Sequence, residues 1–176
     1  SCLCAGLLPI GPRFGGAVDG AAQTFYPAWR KQLGPKELIV QEKKAGRNIQ
    51  GIGHRIKSVD NPDIRVTELV KFARENFPKT ELLDYAFTVQ DLTTQKKGNL
   101  ILNVDGAIGV LCVDMMRNIG TYTDDEVQEF VDIGVLNGLF ALARQIGIVG
   151  HVIDQKLHKQ PLYRHAWDDI TFGTDM

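Results

Sequence analysis

Apolar residues recur at helical spacing along most of the chain. In one stretch they stand at Val66, Leu69, Val70, Ala73 and Phe77, three or four positions apart, so that they share one face of a helix. Alternation with a period of two residues, which is typical of a half-buried strand, is scarce. The pattern therefore predicts an all-α protein.

Glycines, prolines and capping residues divide the chain into the predicted helices. Asn61 is expected to cap a helix that begins at Pro62, because proline suits the first helical position. Thr123 with Glu126 has the spacing of a capping box and predicts the start of a long helix. The predicted helices cover residues 13–33, 36–45, 62–77 and 80–95, and one runs onward from about 124.

The longest apolar block, residues 130–154, is long enough to raise the question of a membrane span. Asp132, Asn137, Arg144 and Gln145 interrupt every window of about 20 residues, and a bilayer penalises each central charge by a few kcal/mol. The block instead predicts a helix that packs within a larger all-helical assembly. We therefore expect no membrane partner.

Composition and charge narrow the possible partners. The chain has 176 residues, 44% hydrophobic and 23% charged, which is ordinary for one globular unit. A net charge of −1 provides no overall field for nucleic acid, so an anionic ligand needs locally clustered cations. Cys2, Cys4 and Cys112 show no C-x-x-C spacing, and the start shows no secretory pattern, so a reducing, cytoplasmic location is expected.

A cluster of cations surrounds a loop rich in glycine. Gly46, Gly51 and Gly53 allow close approach of backbone N–H groups to a phosphate, and neighbouring Lys and Arg side chains can add charge-assisted hydrogen bonds. A solvated surface is the alternative for any single cation. The chain has no G-x-x-x-x-G-K-[ST] motif. The cation cluster comprises Lys43, Lys44, Arg47, Arg55, Lys57, Lys96 and Lys97.

Two other side chains are candidates for proton transfer. His54 lies in the glycine-rich loop, and its imidazole can donate or accept a proton near neutral pH, although a structural histidine is the alternative. Asp105 stands among apolar residues, where burial is expected to raise the pKa of its carboxyl, although it could simply cap a helix. Arg65, Arg144 and Arg164 could clamp a polycarboxylate, with surface ion pairs as the alternative for Arg65 and Arg164.

No metal site is predicted. His151 and His158 are seven residues apart and share a helix face, and His165 follows in the C-terminal segment. No cysteine or third ligand accompanies the pair at metal-binding spacing.

Three motifs in combination resemble one known family. They are G-I-G-H-R with a following N-P-D-x-R, then L-N-V-D-G, and finally L-Y-R-H-x-W-D-D-I. Together they resemble the carboxy-terminal region of ATP-citrate lyase, its citryl-CoA lyase module, which is itself similar to citrate synthase. The resemblance runs from GPRFGGAVDGAA to WDDITF and covers essentially the whole chain. It implies a partial citrate synthase-like helical fold over residues 1–176, the small domain plus the C-terminal part of the large domain.

The resemblance also implies a role for each candidate residue. In this family the histidine meets the oxaloacetate carbonyl or the citrate hydroxyl, and the aspartate handles the proton on the acetyl-CoA methyl carbon. These roles fall on His54 and Asp105. The substrate-binding arginines fall on Arg65, Arg144 and Arg164, the last of which reaches into the partner subunit's site. The cation cluster is then expected to hold the phosphates of CoA, which is bound as a substrate.

The implied reaction is a retro-Claisen cleavage that needs no metal. A base, for which His54 is the best candidate, removes the hydroxyl proton of citryl-CoA, and the C–C bond breaks to give oxaloacetate. Asp105 then protonates the acetyl-CoA enolate. The complete enzyme would convert ATP, citrate and CoA to acetyl-CoA, oxaloacetate, ADP and phosphate, with the ATP chemistry elsewhere. A cytoplasmic homo-oligomer that serves lipid synthesis is expected.

Two departures from the family pattern bear on this interpretation. Phe14 precedes Gly15, Gly16 and Ala17, where citrate synthases typically have a histidine, and this favours the lyase branch over a citrate synthase-type enzyme. A further active-site histidine would lie upstream of residue 1. The chain is therefore expected to be truncated on its N-terminal side and inactive alone. A non-catalytic CoA-binding or oligomerisation fragment is the remaining alternative.

Overall fold

The computed structural model describes residues 2–11, 16–161 and 166. Helices hold 66% of these residues, and their only β-type pairings are isolated bridges, so the prediction of an all-α protein is confirmed. The helices within the described ranges are α1 Cys2–Leu7, α2 Ala17–Arg30, α3 Pro35–Lys44, α4 Ile64–Asn76, α5 Glu81–Thr94, α6 Val104–Ile119, α7 Asp124–Ile133 and α8 Asn137–Leu157.

Helix α6 forms the centre of the structure. It packs against α2, α4, α5 and α7, and its closest neighbour is α2. A Cβ atom on Gly109 would lie 2.6 Å from the carbonyl oxygen of Val18, so glycine is required for the two helices to approach this closely. Phe25, Val110 and Val113 are fully buried around this contact. The central position of α6 fixes the location of Asp105 in its first turn.

The capping predictions are partly confirmed. Thr123 and Glu126 form the expected capping box at the start of α7. The predicted cap at Asn61 is wrong, because α4 begins later and its N-cap is Asp63, whose Oδ1 accepts a hydrogen bond from the N–H of Arg65 at 3.0 Å. The Asp63 carboxylate, two residues after Asn61, accepts a hydrogen bond from a free N–H group of the first helical turn. Pro62 therefore lies before the helix.

The long helix predicted from residue 124 onward is divided into α7 and α8. Gly134 adopts a left-handed conformation, with φ of 80°, and ends α7. Helix α8 is then capped from α2, because the Asp19 carboxylate accepts hydrogen bonds from the N–H groups of Leu136 and Asn137, each at 2.8 Å. The helix predicted over residues 13–33 is shorter, Ala17–Arg30, and residues 12–15 lie outside the described part.

The apolar block of residues 130–154 belongs to this divided pair. No single helix within the described ranges is long and apolar enough to cross a bilayer; α7 and α8 meet that test only jointly, with a bend of 55° between them. None of the residues of α8 is buried. One face of α8 presents apolar side chains that are 46–72% exposed, here called the α8 stripe: Leu139, Leu142, Ile146, Val149, Ile153 and Leu157.

Candidate active site

The glycine-rich loop lies beside the segment that leads into α6. The N–H of Gly53 donates to the carbonyl oxygen of Ile101 at 2.7 Å, and the N–H of His54 donates to that of Asn99 at 2.9 Å. The two segments run antiparallel at the bridge between Ile52 and Leu102. We call residues 51–54 and 99–106 the loop–helix junction. It brings the segment that carries His54 beside the start of the helix that carries Asp105.

Two glycines make this close approach possible. A Cβ atom on Gly51 would lie 2.6 Å from the Cα atom of Gly106, and a Cβ atom on Gly106 would lie 2.5 Å from the carbonyl oxygen of Gly51. Gly51 also has a φ of 84°, a conformation that side chains disfavour. The loop therefore contacts the first turn of α6 directly.

The His54 ring is oriented by its own loop. Its Nδ1 atom accepts hydrogen bonds from the N–H groups of Ile56 at 3.0 Å and Lys57 at 2.9 Å. A neutral imidazole whose Nδ1 is an acceptor carries its proton on Nε2. His54 therefore presents an N–H donor at Nε2, and the neutral ring has no free lone pair there. This arrangement favours a donor that polarises a substrate oxygen over the predicted base, and the role of His54 stays a prediction.

Asp105 lies in the first turn of α6 and is half-buried. Burial raises the pKa of its carboxyl, and the nearby positive charge of Arg65 partly opposes this rise. The alternative of a capping role is wrong, because the N-cap of α6 is Asn103, whose Oδ1 accepts from the N–H of Gly106 at 3.0 Å. A carboxyl with a raised pKa keeps its proton to higher pH than an exposed aspartate does, so Asp105 is suited to act as a proton donor.

Arg65 reaches this site from the first turn of α4. It makes a bidentate ion pair with Asp63, with Nε to Oδ1 at 3.0 Å and Nη2 to Oδ2 at 2.6 Å. These hydrogen bonds hold the pKa of the Asp63 carboxyl below its ordinary value. Asp63 is only 4% exposed. It therefore anchors Arg65 with one edge of the guanidinium, and the half-exposed remainder faces outward.

Sequence reasoning did not assign Asp63 to the site. Asp63 is the aspartate of the N-P-D-x-R motif, and Arg65 follows it by two positions. This spacing was the only indication in the sequence that the two side chains could pair. Its pairing with Arg65 on the first turn of α4 depends on the position at which that helix begins, which was predicted two residues too early.

Part of the cation cluster lines one cleft. Lys43, Arg47 and Lys96 border a cleft of about 580 Å³ between α3, the glycine-rich loop and the end of α5. We call it the cationic cleft. Its apolar wall is formed by Ile39, Ile49, Ile52, Leu92 and Leu100.

The members of the cluster differ in their partners. Arg47 is already committed to the buried carboxylate of Glu42, with hydrogen bonds of 2.9 and 2.6 Å. Lys57 donates to the side-chain oxygen of Asn61 at 3.2 Å. Three further predicted cations are exposed and do not border the cationic cleft: Lys44, Arg55 and Lys97.

The remaining predicted arginines are not brought to this site by the described residues. Arg144 lies on α8 with its guanidinium carbon 5.6 Å from the centre of the Phe140 ring, and no carboxylate of the described ranges lies within salt-bridge distance of it. Arg164 lies outside the described residues, as do Phe14 and His165.

Within the described ranges, no three His, Cys, Asp or Glu side chains are grouped as metal ligands. His151 lies within α8, and His158 is the residue that ends it.

Comparison with known proteins gives this site its family context. A profile of the family described as "Citrate synthase, C-terminal domain" matches residues 1–166. The chain therefore belongs to the citrate synthase family. It is 56% identical over 172 residues to the ATP-citrate synthase of Mus musculus, an alignment that covers 98% of this chain and 16% of that protein.

Solved structures agree with this assignment. An ATP citrate lyase from Methanothrix soehngenii in complex with citrate and coenzyme A has a TM-score of 0.87 and 55% identity, over 98% of this chain and 28% of that chain. A Methanosaeta concilii ATP citrate lyase, an aspartate-to-alanine variant in complex with (3S)-citryl-CoA, has a TM-score of 0.86 and 54% identity over the same shares. The predicted resemblance to ATP-citrate lyase and the citrate synthase-like fold are confirmed. The chain spans under a third of these relatives.

Proposed function

We propose that this chain forms the citryl-CoA-cleaving part of an ATP-citrate lyase. The observation that carries the proposal is the loop–helix junction, which fastens the segment of His54 against the first turn of the helix that bears Asp105. The similarity to lyases described with citrate, coenzyme A and (3S)-citryl-CoA supports the substrate class. Incubation of the intact protein with citryl-CoA should yield equal amounts of oxaloacetate and acetyl-CoA. Production of citrate and free CoA would contradict the proposal.

The proposed step is a retro-Claisen cleavage in which the groups of the junction act on the two fragments. The Nε2–H of His54 donates to the citryl hydroxyl oxygen, which becomes the ketone oxygen of oxaloacetate. The hydroxyl proton passes to solvent water, because the neutral His54 ring has no free lone pair: Nδ1 accepts two backbone N–H groups and Nε2 carries the ring proton. The electron pair of the breaking C–C bond forms the acetyl-CoA enolate, whose carbon takes the proton of Asp105.

Arg65 is suited to hold a carboxylate of the substrate. Asp63 fixes its guanidinium by a bidentate contact on one edge, and the side chain remains 59% exposed. A pre-oriented guanidinium loses little conformational freedom when it binds a second carboxylate. Its charge also acts on Asp105, so an incoming carboxylate that neutralises Arg65 is expected to raise the pKa of that carboxyl further.

The cationic cleft is our proposed site for the nucleotide end of CoA. Its apolar wall can accept the adenine ring, and Lys43 and Lys96 can contact phosphates at its edge. Arg47 is expected to contribute less to phosphate binding, because its charge is already paired with that of Glu42. The cleft shares Ile52 with the loop–helix junction, so a thioester that leaves the cleft would extend toward His54.

Charge reversal tests this cleft. The double variant Lys43→Glu with Lys96→Glu should weaken CoA binding at least about tenfold, because two charge-assisted contacts become repulsive. Titration calorimetry of the intact protein with CoA measures the effect at low and high salt. Lys71→Glu with Lys156→Glu makes the same change of net charge outside the cleft and should bind CoA almost normally. Equal affinities in the two double variants would place the phosphates elsewhere.

We also propose that the protein self-associates through the α8 stripe. Six large apolar side chains at helical spacing are 46–72% exposed on this face, while α1 and α2 pack on α8 elsewhere. Replacement of Leu142 and Ile146 by Gln should lower the sedimentation coefficient at micromolar concentration, because the apolar contact between copies is lost. Leu8, 83% exposed and outside the stripe, provides the control Leu8→Gln. A monomeric wild-type protein would contradict the proposal.

A cytoplasmic location and a supply of acetyl-CoA to lipid synthesis complete the proposal. Support comes from the three free cysteines and from the resemblance to ATP-citrate lyase. Fractionation of cells that express the intact protein tests the location, and recovery in an organelle fraction would contradict it.

A further inference from the structure

One side chain is bonded to both halves of the loop–helix junction. The Asn103 Nδ2 donates to the carbonyl oxygen of Gly53 at 2.9 Å, and its Oδ1 accepts from the N–H of Gly106 at 3.0 Å. Its backbone N–H donates to the carbonyl oxygen of Gly51 at 2.9 Å. Gly53 immediately precedes His54, and Gly106 immediately follows Asp105. One side-chain hydrogen bond of Asn103 is therefore made to the neighbour of His54, and the other to the neighbour of Asp105.

We propose that Asn103 is a positioning residue that sets the placement of His54 relative to Asp105. The inference rests on the proposed function, since it concerns the two groups that would act on citryl-CoA. A displacement of about 1 Å between reacting groups can cost about a hundredfold in rate. A carboxamide that holds both segments at once would limit such displacement without contacting the substrate.

An ordinary helix cap does not require an asparagine. Ser, Thr and Asp all accept a hydrogen bond at the N-cap, and in this chain Thr123 and Asp63 do so for α7 and α4. Asp has no donor for the Gly53 carbonyl, and the Ser and Thr hydroxyls lack the separate N–H₂ branch with which Asn103 reaches it. In Asn103→Asp a carboxylate oxygen would face that carbonyl oxygen, and repulsion would replace the hydrogen bond. The cap and the loop contact can therefore be separated by substitution.

Two variants of the intact protein test the inference. Asn103→Asp keeps an acceptor for Gly106 and has no donor for Gly53. Asn103→Ser also keeps an acceptor, replaces the carboxamide donor by a shorter hydroxyl, and adds no charge beside Asp105. For both we expect kcat for citryl-CoA cleavage to fall at least about tenfold while CoA affinity changes less than about twofold. Amide exchange at Gly53 and His54 should accelerate at least about tenfold, and exchange in the middle of α6 should not change.

The control is Thr123→Ala, which removes the cap of α7 far from the junction. It should lower thermal stability but alter neither kcat nor exchange at Gly53. If Asn103→Ser retains wild-type kcat and wild-type exchange at Gly53, the positioning role is wrong. If wild-type protein fails to cleave citryl-CoA, the proposed function fails instead. The exchange rates then still decide whether Asn103 holds the loop, because they do not depend on activity.

Discussion

Asp105→Asn in the intact protein should reduce the rate of citryl-CoA cleavage at least about a hundredfold, since a positioned general acid contributes about 10²–10⁴. The carboxamide has nearly the same shape but no proton to give to the enolate carbon. CoA affinity should remain almost unchanged, because none of the residues that line the cationic cleft belongs to α6. Single-turnover assays with citryl-CoA measure the chemical step separately from product release.

The pH dependence of the cleavage rate provides a second test of the role of Asp105. Burial raises the pKa of Asp105, so its acid form persists to higher pH than that of an exposed aspartate. The wild-type cleavage rate should therefore fall as pH rises through that raised pKa, and the residual rate of the Asn variant should lack this limb. Asp91→Asn, at an exposed position on α5, is the matched control. Retention of more than about a tenth of wild-type kcat, a barrier change below ~1.4 kcal/mol, would contradict the role.

Gly106→Ala should have the second large effect, through the contact between the loop and α6. The added Cβ would lie 2.5 Å from the Gly51 carbonyl oxygen and 2.7 Å from Cδ1 of Leu102. The loop would have to move away from the helix, which would displace His54. Overpacking of this kind costs about 1–3 kcal/mol, which is at least as much as the ~1 kcal/mol that alanine gains over glycine in a helix. We expect lower stability and at least about a tenfold loss of cleavage.

Gly147→Ala is the control for this substitution. It also replaces a helical glycine, on α8, but the new Cβ would have no neighbour within 4 Å among the described residues. The control should maintain or slightly raise the free energy of unfolding, because only helix propensity changes. Chemical denaturation of both variants measures the difference. A Gly106→Ala protein as stable and as active as the control would show that the loop does not press against α6.

The helical class and most of the helix boundaries could be predicted from the sequence because they depend on local chemistry. The Thr123–Glu126 box and the spacing from Val66 to Phe77 are readable from neighbouring residues alone. The break after α7 was missed because the apolar pattern continues past Gly134. Gly134 ends α7, and the start of α8 is capped by a carboxylate from α2, Asp19, 117 residues away in sequence.

The residues of the candidate site could be predicted from the sequence, but most of their hydrogen bonds and ion pairs could not. His54 and Asp105 were chosen from chemistry and from the family resemblance, and their roles remain proposals. The two N–H groups that bind Nδ1 of His54 depend on how the loop turns after residue 54, which no spacing rule indicates. Likewise Arg47 appeared to be a free cation, and its pairing with Glu42 depends on the turn that ends α3. Asn103 was not singled out and stood only within the L-N-V-D-G motif.

The most direct test of the central claim is a structure of the intact Asp105→Asn protein with citryl-CoA bound. The account predicts that the methylene carbon next to the thioester lies within about 3.5 Å of the residue 105 carboxamide, a distance at which proton transfer is possible in the wild type. The citryl hydroxyl should accept a hydrogen bond from Nε2 of His54, and the CoA phosphates should lie at the edge of the cationic cleft. A thioester bound away from the loop–helix junction, with His54 and residue 105 both facing solvent, would contradict the account.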